Sequence, residues 1–123
     1  MSLANTALLF NMGLLGTPLY DNLLGGPAAA QATALPLPGE MNRVTAGANN
    51  QSFILRSIKS GEASTMTVVV NDGPNACQVF PAVGENQNGV ANAALSIPAG
   101  QSGLFVLVPN KLGGPDWRSN VIA

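Results

Sequence analysis

From residue 52 onward, glycine, proline or asparagine breaks the chain every few residues, and the runs left between the breaks are short and rich in apolar side chains. The runs are SFILRSIK (52–59), STMTVVV (64–70), ACQVF (76–80), AALSI (93–97), SGLFVLV (102–108) and DWRSNVIA (116–123). Asn71-Asp72-Gly73-Pro74, Asn88-Gly89 and Pro98-Ala99-Gly100 separate them as turn signals. Strands at intervals of about 8–12 residues imply an all-β domain, a compact β-sandwich or small β-barrel, over residues 41–123. STMTVVV is β-branched and suits a pleated strand. SGLFVLV is nearly continuous in apolar residues, as in a strand buried on both faces. SFILRSIK alternates imperfectly, with Phe53 and Leu55 on one face and Ile54 and Ile58 on the other. The expected core is Val68, Val70, Val79, Phe80, Leu95, Ile97, Phe105 and Leu107, with Trp117 packed on a last strand.

Residues 1–40 read differently. They hold two apolar patches, TALLFNMGLLG and AAAQATALPLP, and only Asp21 and Glu40 carry charge. Pro18, Pro27, Pro36 and Pro38, with Gly13, Gly16, Gly25 and Gly26, exclude a long helix. Ala7, Leu8, Met12 and Leu15 share one helical face, but that run is too short to be stable alone in water. The expectation is an extended N-terminal arm ending in a stiff Pro-Leu-Pro connector. An arm with so many leucines has to dock, either as an edge strand on its own domain or on a neighbouring subunit or a larger partner. Its candidate interface residues are Leu8, Leu9, Phe10, Met12, Leu14, Leu15, Leu19, Tyr20, Leu23 and Leu24. The opening residues lack the positive n-region of a signal peptide and are too short and polar-interrupted for a membrane span.

Charge narrows the partners. Only 9% of the 123 residues are charged, against 46% hydrophobic, and the net charge is −1. A surface so poor in charge is covered by uncharged polar residues or by another protein. The basic residues Arg43, Arg56, Lys59, Lys111 and Arg118 are too dispersed for the cationic footprint that nucleic acid requires.

Chemistry finds few parts. The chain has no histidine and a single cysteine, Cys77, so neither an internal disulfide nor a Cys/His zinc site can form. Cys77 lies in an apolar run and reads as a small buried hydrophobe. The acids Asp21, Glu40, Glu62, Asp72, Glu85 and Asp116 are scattered, without the ladder of a calcium loop, and Asp72 reads as a cap on its own turn. No phosphate-binding glycine motif occurs. No catalytic residue, metal or cofactor is expected, and the chain does not read as an enzyme.

The stretch VVNDGPNACQVFPAVGENQNGVANAALSIPAGQSGLFVLV, followed by Trp117, resembles a segment common in tailed-bacteriophage virion proteins. The resemblance rests on Asn71 to Gly73, Val79 to Ala82, Gly84, Asn88-Gly89, Ala91 to Ala94, Ala99-Gly100, Leu104 to Val108 and Trp117. Gln87 stands where that pattern carries an apolar residue. The resemblance does not extend to residues 1–40. It implies a structural virion protein, most like a small head decoration or capsid cement protein. Such a protein would bind the major capsid protein and itself, as a homotrimer, on the outer surface of the capsid, with no nucleic acid or membrane as partner. A neck, tail or fibre-base module is the alternative. A carbohydrate-binding module using the loop Glu85 to Asn92 is a third reading, though that loop has no aromatic residue.

Overall fold

The computed structural model describes residues 18–45, 51–109 and 114–123. The chain is all-β. Its strands are β1 (Leu19–Leu23), β2 (Leu35–Pro36), β3 (Met41–Val44), β4 (Gln51–Ile54), β5 (Met66–Asn71), β6 (Cys77–Phe80), β7 (Asn86–Gln87), β8 (Val90–Ala91), β9 (Leu95–Ile97), β10 (Ser102–Val108) and β11 (Asp116–Ile122). A 3-10 turn, Gln31–Thr33, lies between β1 and β2. Two sheets result, one of seven strands in the order β1-β3-β5-β10-β11-β7-β8 and one of four in the order β2-β4-β6-β9.

The first half of the chain winds as a solenoid-like coil. Successive strands alternate between the sheets, so β1, β3 and β5 stack in parallel in the first sheet while β2, β4 and β6 stack in parallel in the second. The second half closes the stack. A short hairpin joins β7 to β8, β9 runs antiparallel to β6, and β10 lies antiparallel between β5 and β11. Each coil contacts mainly the next, which requires no repeat in sequence.

Both sheets contribute to one core. Val44, Val69, Phe105, Leu107 and Trp117 come from the first, and Phe53, Leu55, Cys77, Val79 and Ile97 from the second or its margin. Each large side chain removed from water here contributes about 1.5–3 kcal/mol before entropy is counted. Trp117 is fully buried and Arg56 lies over its ring.

Four expectations need correction. Val68 and Val70 are not core: β5 turns Thr67, Val69 and Asn71 inward. The phase is set by Asn71, whose amide donates to the carbonyls of Asn75 and Ile97 (2.9 Å each), while its Oδ1 accepts from the Gly73 N–H (3.1 Å). A polar side chain held this way can be buried, and it draws the alternate residues in with it. Phe80 is likewise only half-buried, and Leu95, also half-buried, packs against the core from its margin. Asp72 does not cap the turn, because Asn71 does so; the Asp72 carboxylate pairs with Arg43 at 2.7 Å. The run from residue 52 is not one strand to 59. β4 ends at Ile54, and the Arg56 guanidinium bonds both oxygens of Glu62 (2.8 and 2.6 Å), closing a loop that returns to β5. β10 is fully buried on one face only.

Residues 19–37 supply strands to both sheets, so this part of the expected arm is the first coil. The rest of it, residues 1–17, lies outside the described residues.

Candidate docking surface

The first sheet has an inner face on the core and an outer face whose side chains follow from the same pairing. In β10, Gly103, Phe105 and Leu107 point inward, which leaves Leu104 and Val106 outside. In β5 the outward residues are Met66, Val68 and Val70. Register places Leu104 beside Val68, Val68 beside Met41 and Met41 beside Leu19, an apolar row across four adjacent strands. Val106 beside Met66 widens it. Leu19 is exposed and the other five are half-buried; no second layer of described residues is paired to this face. Two methionines give it an adaptable surface.

Its rim is charged but internally paired. Arg43 donates to Asp21 at 3.0 Å and to Asp72 at 2.7 Å, linking β1, β3 and the turn after β5. The Asn22 N–H and the Arg43 guanidinium hold the Asp21 carboxyl below its ordinary range. On β11, Arg118 lies 2.9 Å from Asp116, a buried carboxylate that also accepts the Gly89 N–H. The apolar row is thus edged by salt bridges and polar groups.

At the first coil the core reaches the surface. Tyr20 and Leu23 are the inward residues of β1, since they pair with buried Asn42 and Val44. The Tyr20 ring lies against the backbone of Gly39, where a Cβ would strike it. Leu35, opposite buried Phe53, is 47% exposed. Among the described residues, Leu19, Tyr20, Leu24 and Leu35 are four of the seven exposed large apolar side chains; the others are Val83, Val90 and Ile122. The edge of the second sheet is sealed here. The Leu37 N–H bonds inward to the Ile54 carbonyl, so Pro36 and Pro38 turn outward and offer no N–H to an added strand. On the first sheet β1 is the edge strand at this end and β8 at the other.

The proposed arm residues therefore separate. Leu19 belongs to the outer face, Tyr20 and Leu23 close the end of the core, and Leu24 is exposed beyond β1. Leu8, Leu9, Phe10, Met12, Leu14 and Leu15 lie outside the described residues. The reading of the sequence missed Met41, Met66, Val68, Leu104 and Val106. The signal was present in part: SGLFVLV is apolar at its outward as well as its inward positions, so the outer side of β10 is apolar too.

The chain matches no family model, no curated protein and no solved structure.

The remaining polar features are internal. In the loop Glu85 to Asn92, Glu85 accepts the Ile58 N–H at 2.8 Å, Asn88 pairs three times with Ser119, and Asn92 Oδ1 accepts from the Gly84 N–H and from Gln31. Those groups brace the corner and are engaged before any sugar arrives. A shallow cleft of about 430 Å³ runs beside this loop, lined by Ile58, Lys59, Ser60, Gly84, Glu85, Asn86, Gly114 and Pro115. Burial pushes the Cys77 thiol up to about 12, which leaves it unreactive. No group of three or more metal-ligating side chains occurs among the described residues. No helix among them is long and apolar enough to cross a membrane.

Proposed function

We propose that this chain is a structural virion protein of a tailed bacteriophage, a small head decoration protein that binds and stabilises the capsid by multivalent protein contacts. In this reading the two sheets and their shared core form a small β-sandwich, with no catalytic role. The partners are the major capsid protein and further copies of the chain, as a homotrimer, on the outer capsid surface.

The observation that carries the reading is the apolar outer face of the first sheet. It gives a domain with so little charge a surface suited to proteins, and area of this kind contributes roughly 25 cal/mol per Å² before the costs of association. The phage-like segment supports it, because its residues build β6 to β11 and the braced corner between them. Sparse charge also suits a shell crowded with identical copies, where repulsion accumulates. Trimers multiply weak contacts, since later protomers bind intramolecularly once the first has docked.

The test is copy number in purified particles, by quantitative staining against the major capsid protein. A ratio near one to one, or one trimer per local three-fold, is expected. A count of a few per particle assigns the chain to a neck, tail or fibre base, and absence from particles refutes the virion reading.

A further inference from the structure

We infer that Asn88 is a site of spontaneous deamidation that the fold keeps closed, and that its conversion to aspartate or isoaspartate stops the β7–β8 turn from docking again on β11. Asn88-Gly89 is the chain's single Asn-Gly pair, and both residues are exposed at the tip of the hairpin. Glycine has no Cβ to shield its nitrogen, so that nitrogen can close on the side chain of the preceding asparagine. The reaction consumes only water. Gly89 N attacks Asn88 Cγ and gives up its proton, the Cγ–Nδ2 bond breaks, and ammonia leaves. Water then opens the five-membered imide at one carbonyl or the other, to aspartate or to isoaspartate.

Three sets of bonds to β11 oppose that step in the folded chain. The Gly89 N–H donates to the Asp116 carboxylate at 3.0 Å, and a negative charge there disfavours loss of the same proton. The Asn88 side chain is spread over Ser119: its Oδ1 accepts the Ser119 N–H at 2.9 Å, while its Nδ2 donates to the Ser119 carbonyl at 3.2 Å and hydroxyl at 3.0 Å. The Asn88 N–H bonds the Trp117 carbonyl at 2.8 Å, which fixes the backbone of the turn. All three sit at the tip of a hairpin whose strands have two residues each, so they can open without global unfolding. Closing again is different after the reaction. An aspartate side chain only accepts, so one of its oxygens would replace Nδ2 against the Ser119 carbonyl, with no hydrogen between them. Isoaspartate adds a carbon to the backbone and breaks the two-residue turn. The inference does not depend on the virion reading and is tested without particles.

The experiment incubates the full-length protein at mildly alkaline pH, in buffer and in urea above its unfolding midpoint, and follows conversion at Asn88 by peptide mass spectrometry. Conversion in buffer is expected to be at least about tenfold slower than in urea, the factor that an opening of about 1.4 kcal/mol imposes. Two variants assign the protection to β11. Asp116→Asn removes the carboxylate charge, and Ser119→Ala, at a half-buried position, removes only the hydroxyl partner of Nδ2. Both, checked as folded by circular dichroism, are expected to convert faster than the parent in buffer and at the parent's rate in urea. If Asp116→Asn does not fold, Ser119→Ala decides alone. Asn88→Asp, one of the two products, is expected to show faster hydrogen exchange at the Gly89 and Ser119 amides. Equal rates in buffer and urea, a faster rate in buffer, or no conversion in urea would overturn the inference. So would slow conversion that neither variant changes, or parental exchange in Asn88→Asp.

Discussion

The side chain of Gln87, on β7 of the first sheet, donates its amide to the carbonyl of Val79, on β6 of the second, at 3.0 Å. A second bond from the same nitrogen reaches the Ala93 carbonyl at 2.7 Å. Gln87 is almost wholly buried, so this link between the sheets is shielded from water.

Replacing Gln87 by isoleucine leaves both carbonyls without that donor. The expected loss is about 1–3 kcal/mol, the cost of stranding buried polar groups. Urea unfolding of the two proteins checks it; an equal or higher midpoint for Gln87→Ile would mean the amide link contributes nothing net.

Phe105 is completely buried in the middle of β10. Phe105→Ala should cost about 3–5 kcal/mol, enough to unfold much of a small domain at room temperature. Circular dichroism melting reads the effect directly. Little change would mean that β10 is not central.

How much of this was legible follows from particular residues. The all-β class was, because turns such as Asn88-Gly89 and Pro98-Ala99-Gly100 are local chemistry; both asparagine and glycine at 88–89 have positive φ (51° and 81°), as the hairpin requires. The phase of β5 was not, because Asn71 is drawn inward by a carbonyl 26 residues away, at Ile97. The first coil was hidden for a different reason: β1 is LYDNL, mostly exposed and broken by a bulge at Asn22, and β2 has only two residues. Of the docking surface, Leu19 was legible. Met41, Met66 and Val68 join it only through pairing between strands distant in sequence.

Gly26 tests whether the first coil is part of the fold. It bridges to Ser52, and a Cβ there would run into the Thr33 carbonyl. Backbone cannot give way as a flexible side chain can, so Gly26→Ala should cost about 1–3 kcal/mol or more. Hydrogen exchange should rise first in residues 19–37, with the β5–β10 ladder still protected. Uniform exchange across the chain would mean that the coil does not open by itself.

Acid should weaken the loop that follows β4. The Arg56 guanidinium and the Lys59 N–H hold the Glu62 carboxyl down to about 2, from an ordinary 4.5. Because the folded value is depressed, its stabilisation is present above about pH 4.5 and is lost as the pH falls towards 2. The pair is partly solvent-screened, so the effect is modest. Urea midpoints at pH 6 and pH 3 should differ less in Glu62→Gln than in the parent. Identical differences would remove Glu62 from the acid response.

Adjacent residues of β5 separate folding from docking. Val69 faces the core and is fully buried, beside Asn42 on β3 and Gly103 on β10, whereas Val68 faces out between Met41 and Leu104. Val69→Asp places a carboxylate where it has neither water nor a partner, and the chain should fail to fold. Val68→Asp leaves the new charge in contact with solvent and the core intact, so melting should change by less than about 1 kcal/mol. The same charge sits in the centre of the apolar row, where any covering protein would have to desolvate it. Association should therefore be lost from a folded protein, seen as a shift to monomer in light scattering and as failure to bind shells. A Val68→Asp protein that unfolds would place Val68 in the core; one that folds and still associates would remove the outer face from the interface.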